Sequence, residues 1–138
     1  MLSISSKCRY GILAVLALGE NYGGGLLQIK DIAAAKNIPR QYLEQIFNRL
    51  VNAGVVSSVR GKKGGYVLAQ DPAKVSVLDL VDVLEGGVQL SGDSTSGLDA
   101  INELFKKAEE KLKQDFSITL ADLILRQQAL LENVMYHI

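Results

Sequence analysis

The sequence predicts a mainly α-helical fold: a winged helix-turn-helix with a small β-hairpin wing, followed by a long C-terminal dimerisation helix. Apolar residues at three-to-four spacing between residues 32 and 50 are typical of consecutive amphipathic helices. A period of two follows in residues 55–60, and the glycine- and lysine-rich segment 61–65 precedes a second short strand at 66–68. We therefore divide the 138 residues into a winged helix at 1–75 and a helical region for dimerisation and regulation at 76–138.

The first elements can be placed from local signals. A first helix is expected over residues 5–18, followed by a short strand at Leu26 and Leu27. The second helix is expected to open at Gln28, which is an unfavourable N-cap residue compared with Ser or Thr. The inward-facing residues of the first helix are then Ile12, Leu13, Val15 and Leu16.

A tight turn separates the second helix from the third. Asn37 can end a helix in the left-handed conformation, and Pro39 suits the first turn of the next helix because its missing N–H lies among the unpaired donors there. The third helix then extends to about Asn52, where an Asn-Ala-Gly sequence favours a stop. The apolar face of this helix pair is predicted to consist of Ile32, Ala35, Ile38, Leu43, Ile46, Phe47 and Leu50.

The other face of the third helix is polar and can read bases in a major groove. Glutamine and asparagine can form two hydrogen bonds with adenine, arginine pairs with guanine or phosphate, and glutamate can accept from the cytosine amino group. Any solvated helix face carries such residues, so the joint order of helix, turn, helix and basic hairpin is what favours DNA. The exposed positions are predicted to be Arg40, Gln41, Glu44, Gln45, Asn48 and Arg49.

The distribution of charge supports the same interpretation. The wing carries Arg60, Lys62 and Lys63 at a glycine-rich tip that can approach a phosphate backbone or a minor groove. Residues 1–66 hold nine basic and three acidic side chains, whereas residues 67–138 hold six basic and twelve acidic ones. The formal net charge of zero therefore conceals a basic half that can attract phosphate and an acidic half that repels it.

Six short segments occur together in this chain: SKCRYG at 6–11, YLEQIF at 42–47, LVNAG at 50–54, VRG at 59–61, GGY at 64–66 and LEG at 84–86. Together they resemble the Rrf2 family of bacterial winged-helix repressors over nearly the whole chain. The resemblance implies that the amino end of the first helix contacts the DNA backbone, where free helix N–H groups also favour phosphate. The predicted contacts to double-stranded DNA are made by Lys7, Arg9, Tyr10, Gln28, Arg40, Gln41, Tyr42, Glu44, Gln45, Arg49, Arg60, Lys62 and Lys63.

Three further helices are expected in the second half, each opened by a Ser or Thr with an acid three residues later. The opening residues are Ser76, Ser96 and Thr119. The first of these helices, over residues 76–85, carries one apolar stripe that is most simply core. The fifth helix is expected to carry three ion pairs on its outer face, namely Glu103–Lys107, Lys106–Glu110 and Glu109–Lys113.

The fifth helix also has an apolar seam with the three-four spacing of a coiled coil. Either the seam packs inside its own subunit or it joins two copies, and a homodimer is favoured because one winged helix covers too few base pairs for useful specificity. A dimer implies a palindromic operator. The predicted interface is Leu98, Ile101, Phe105, Ala108 and Leu112, and the last helix is expected to cover it with Leu120, Leu123, Ile124, Leu130 and Leu131.

No cofactor and no catalytic site are expected. Many Rrf2 members hold an iron-sulfur cluster with three cysteines between the helix after the wing and the long helix, and residues 86–107 contain none. The single cysteine, Cys8, excludes an intramolecular disulfide and fits a protein of the cytoplasm. Its thiol either has a redox role or is simply buried.

The apolar residues after Arg9 resemble a signal peptide. We reject that interpretation because removing this segment would remove the first helix of the winged helix, and no membrane partner is expected. The only histidine is near the end, and no nucleophile is paired with a base, so the chain is predicted not to be an enzyme.

The C-terminal segment NVMYHI is similar to the tails of the cysteine-metabolism repressors, the CymR branch of Rrf2, which also lack the cluster cysteines. It also resembles the C-terminal isoleucine that serine acetyltransferases insert into cysteine synthase. This implies cysteine synthase as a partner that O-acetylserine would displace, bound through Tyr136, His137 and Ile138. The alternatives are a small ligand beneath the long helix, a response through Cys8, and a protein-interaction module that does not bind DNA.

Overall fold

The computed structural model describes residues 1–92 and 99–137. The described part contains six α-helices and one two-stranded antiparallel hairpin, so the predicted mainly α-helical winged helix is confirmed. A short 3-10 helix, Pro72–Lys74, links the hairpin to the fourth helix. The elements are α1 (Ser6–Glu20), α2 (Ile29–Lys36), α3 (Arg40–Asn52), β1 (Val56–Val59), β2 (Gly65–Leu68), α4 (Val77–Glu85), α5 (Ala100–Asp115) and α6 (Leu120–Tyr136).

The turn between α2 and α3 follows from its residues. Asn37 has φ 53° and ψ 51°, the left-handed conformation predicted for it, and its side chain type tolerates that region. Pro39 has φ −60° and is the N-cap residue of α3, so the helix itself begins one residue later than predicted. Ile38 lies between them and is buried, which ties the turn to the core.

The inward face of α2 differs from the prediction at one position. Ala35 is exposed, whereas Ala33 is buried beside Ile32. With Ile29 packed against the same core, the buried stripe has the spacing i, i+3, i+4. Ala35 was predicted to be buried because it follows Ile32 by three residues. The face of α2 that packs on α1 and α3 instead contains Ile29, Ile32 and Ala33.

Capping explains most other helix boundaries. Ser76 and Thr119 form capping boxes with Asp79 and Asp122, as predicted. Helix α5 begins at Ala100, later than the predicted opening at Ser96, because the Asp99 carboxylate accepts hydrogen bonds from two N–H groups of the first turn. Residues 93–98, which include Ser96 and Leu98, lie outside the described residues.

The hairpin forms the wing. Its register pairs Val56 with Leu68 and Val59 with Gly65, and Leu27 adds a single bridge to Tyr66 in place of the predicted strand. Gly65 passes so close to the neighbouring backbone that a Cβ there would lie 2.6 Å from the Leu27 carbonyl oxygen. Only glycine permits this approach.

One hydrophobic core joins the helices. Val15, Ile32, Leu43 and Phe47 are buried in it, while the predicted Ile12 and Leu13 are only partly buried at its edge. Residues of α4 and the first residue of α6 belong to the same core. None of the helices in residues 1–92 and 99–137 combines the length and the hydrophobicity that a membrane crossing needs.

Candidate DNA-binding face and dimer surface

The polar face of α3 is exposed as predicted, and α1 adds a basic residue beside it. A shallow cleft of about 310 Å³ brings Lys7 together with Gln45, Asn48 and Arg49. Asn48 was predicted to be exposed but was not included among the DNA contacts, although an asparagine in this position can bond a base edge. The amino end of α1 therefore borders the residues that can read bases.

Arg49 is held by the protein itself. Its guanidinium donates a hydrogen bond of 3.1 Å to the main-chain carbonyl of Leu84, in the last turn of α4. This bond satisfies a carbonyl that the end of a helix leaves without an intrahelical partner. The structure thus gives Arg49 the role of joining α3 to α4, in addition to the DNA contact predicted for it.

Gln28 holds the wing in place. Its side-chain amide donates to the carbonyl oxygens of Lys62 and Gly64, at 3.3 and 3.4 Å. Its backbone N–H donates to the Asp31 carboxylate, which supports the start of α2. These bonds explain why a glutamine stands at a helix start, and they make Gln28 a positioning residue for the tip of the wing.

Two tyrosines predicted to contact DNA contact each other. The rings of Tyr10 and Tyr42 stack with centroids 5.6 Å apart and an angle of 26° between their planes. Both residues are half-buried, so the pair joins α1 to the first turn of α3. A second stack, between Phe47 and Tyr66, joins α3 to the wing with ring centroids 4.4 Å apart.

The basic side chains of this face are free of ion pairs within the part of the chain that the structure describes. The described residues form two salt bridges, Lys36–Glu20 and Lys113–Glu109, and neither lies on the wing or on the polar face of α3. The wing residues are exposed around Gly61, whose φ of 113° suits the tight tip. The residues available for phosphate are Lys7, Arg9, Arg40, Arg60, Lys62 and Lys63.

The seam of α5 lies open on the surface. Ile101 is 65% exposed and Phe105 45% exposed, Ala108 is exposed and Leu112 is half-buried. No residue of α5 is buried, so the described part of the seam does not pack inside its own subunit except at Leu112, which faces α4. Leu104 is 62% exposed and extends this surface; it follows Ile101 by three residues, a spacing that could have identified it.

The prediction that α6 covers the seam is wrong. Leu120 is buried in the main core, and Leu123 and Ile124 pack against that core, because this half of α6 lies on α1. Leu130 and Leu131 are exposed. Of the three ion pairs predicted on α5, the described residues show only Glu109–Lys113, at 3.7 Å.

Comparison with known proteins decides the family. Residues 4–126 match the model of the Rrf2 family, which is described as an iron-dependent transcriptional regulator. The chain belongs to the Rrf2 family. The HTH-type transcriptional regulator CymR of Bacillus subtilis is 35% identical over 138 residues, which is 99% of this chain and 100% of CymR. The HTH-type transcriptional regulator IscR of Escherichia coli is 32% identical and covers 94% of this chain and 84% of IscR.

Solved Rrf2 structures share the fold. The structure of CymR, described as the global cysteine regulator of B. subtilis, has a TM-score of 0.82 and 37% identity and covers 91% of this chain and 98% of that one. IscR of T. potens has a TM-score of 0.77 and 32% identity over 91% of this chain and 88% of that one. This Rrf2 chain is accordingly a helix-turn-helix transcriptional regulator, and not an enzyme.

The donors of this Rrf2 chain do not fit an iron-sulfur cluster held by several cysteines. Thiolates hold iron-sulfur clusters, and the sequence contains one cysteine. The described residues contain no group of three His, Cys, Asp or Glu side chains that could hold a metal ion. Cys8 is completely buried, and burial, with a smaller effect from the charge of Glu85, raises the pKa of its thiol to about 11.

We expect Cys8 to resist alkylation in the folded protein. A thiol with so high a pKa is almost wholly protonated near neutral pH, and the thiolate is the species that reacts. Mass spectrometry after iodoacetamide treatment should show negligible modification in buffer and complete modification in denaturing urea. Fast modification of the folded protein would support the redox alternative instead.

Proposed function

We propose that this Rrf2 regulator is a cytoplasmic homodimeric repressor that binds a palindromic operator in double-stranded DNA. The observation that carries the dimer is the open seam of Ile101, Leu104 and Phe105, three large apolar side chains that lie exposed on one face of α5, as at protein interfaces. Two copies joined there by a two-fold axis present two α3 helices and two wings. Two half-sites multiply the specificity of one winged helix, and two-fold symmetry makes the operator palindromic.

We also propose control of cysteine metabolism. The support is the likeness to CymR, which covers 99% of this chain and 100% of CymR. CymR itself is described as the global cysteine regulator of B. subtilis. IscR matches at a similar identity, yet the single buried cysteine of this chain favours a regulator that works without an iron-sulfur cluster. We therefore propose that no metal cofactor takes part.

The signal is proposed to arrive through the C-terminal tail. Helix α6 ends at Tyr136, which is 90% exposed, and His137 is exposed as well, while Ile138 lies outside the described residues. The exposed side chains of Tyr136 and His137 can enter a pocket of a partner protein, because each combines an apolar ring with a polar group. The proposed partner is cysteine synthase, and O-acetylserine would compete for its active site.

Titration against cysteine synthase tests this proposal. The full chain should bind, a variant without its last four residues should not, and O-acetylserine should reverse the binding. Glu132→Gln is a matched control, because it changes the same helix without touching the end of the chain. Equal binding of the shortened variant, or no binding at all, would contradict the tail as the point of attachment and leave the DNA-binding dimer to be tested separately.

A further inference from the structure

A second cleft, of about 370 Å³, lies on the side of α4 that faces α5. This volume falls in the range of small-molecule sites, and apolar side chains form most of the wall. The walls come from the N-terminal segment, from α4, from the segment after α4 and from the last turns of α5. The apolar lining residues used here are Ile4, Val81, Val88, Leu90, Leu112 and Phe116.

One charged group stands on this wall. Glu85 lines the cleft, and its carboxylate accepts a hydrogen bond of 2.5 Å from the Ser5 N–H. Hydrogen bonds from the Ser5 side chain and backbone hold the pKa of Glu85 below its usual range, so the group is ionised at neutral pH. The cleft has no basic lining residue, and within the described residues no cation pairs with Glu85.

We propose that this cleft binds a small effector that consists of an apolar body and an ammonium group, with the ammonium on the Glu85 carboxylate. Among the described residues, Glu85 is the only ionised side chain of the wall, so a cation complements it, and the apolar body complements the rest of the wall. The effect on DNA described next rests on the proposed function, whereas the binding itself does not.

The position of Glu85 connects the cleft to the DNA-binding face. Ser5 donates to Glu85, and its hydroxyl accepts from the Cys8 N–H at 3.1 Å, which caps α1 immediately before Lys7 and Arg9. The preceding residue of α4, Leu84, accepts the bond from Arg49 of α3. An ammonium that competes with Ser5 for the carboxylate loosens this cap. We expect DNA affinity to fall by no more than about fivefold, because the stability that one helix cap usually contributes corresponds to a factor of that size in an equilibrium constant.

Three matched probes test the binding on the full chain without DNA: 2-phenylethylamine, neutral 2-phenylethanol and anionic 3-phenylpropionate. Titrations followed by amide NMR should place the amine among Ser5, Val88 and Leu90, with affinity at least about tenfold above the other two probes. Glu85→Gln keeps an acceptor for Ser5 and should remove that preference, whereas Glu110→Gln on the outer face of α5 should not. Binding of the alcohol as tightly as the amine, an unchanged preference in Glu85→Gln, or no binding of any probe would overturn the proposal.

A second titration separates the two claims. DNA affinity is measured with and without saturating 2-phenylethylamine, and Val88→Trp is added to fill the cleft. The amine should weaken DNA binding of the unmodified chain and leave that of Val88→Trp unchanged. If the chain binds DNA but the amine has no effect on it, the coupling through Ser5 is wrong. If the chain does not bind DNA at all, the proposed function fails while the NMR result on the cleft stands.

Discussion

Ile101→Asp is expected to convert the protein to monomers and to remove tight operator binding. Ile101 is 65% exposed in one chain and stands on the open seam of α5, so a two-fold interface would bury it against the partner. Burying an unpaired polar group costs about 1–3 kcal/mol, and a two-fold axis places two of them in the interface. The dissociation constant of the dimer should therefore rise by about a hundredfold or more.

Sedimentation equilibrium and operator titration measure this effect together. Gln114→Asp is the matched control, because it introduces the same side chain on the exposed opposite face of α5. The control should remain dimeric and bind DNA normally. A dimeric Ile101→Asp variant with full operator affinity would show that the seam is not the interface.

Gln45→Ala is expected to relax the preference for a base at one operator position. Gln45 lies on the exposed face of α3, in the cleft shared with Lys7 and Asn48, where its amide can make two hydrogen bonds to adenine. Losing them should reduce discrimination by about 1–3 kcal/mol, or about 5- to 150-fold. Affinities for operators substituted at each position in turn measure the change. A uniform loss on every sequence would remove Gln45 from base reading.

Arg60→Ala provides the complementary result. Arg60 is exposed on the wing and has no ion pair in the described part of the chain, so it is available to a phosphate. Its loss should weaken binding to all sequences alike and reduce the slope of log affinity against log salt by about one. The contrast between the two variants distinguishes positioning contacts from base-reading contacts. Unchanged affinity and slope would exclude a wing contact at this residue.

The parts of the fold that obey local rules could be predicted from the sequence. Asn37 and Pro39 specify the turn before α3 through their own backbone preferences, and the capping boxes at Ser76 and Thr119 need partners only three residues away. The hairpin follows from alternation and a glycine-rich tip. The seam of α5 was visible from spacing within one helix.

The parts that depend on distant partners could not be predicted. Arg49 meets a carbonyl 35 residues further along the chain, and Gln28 meets the wing 34 to 36 residues away. Nothing in their local sequence separates these roles from DNA contact. The apolar pattern of α6 predicts that one face packs against another helix, but it does not specify which helix. The predicted partner was α5, whereas the structure packs this face on α1.

Selection of binding sites from random double-stranded DNA tests the central claim most directly. The purified full chain should enrich one inverted repeat, with two half-sites at a fixed spacing of about one helical turn or a multiple of it. Ile101→Asp should lose that enrichment under the same conditions. A site without two-fold symmetry, or no enrichment at a salt concentration where related regulators select their operators, would contradict a palindrome-binding dimer.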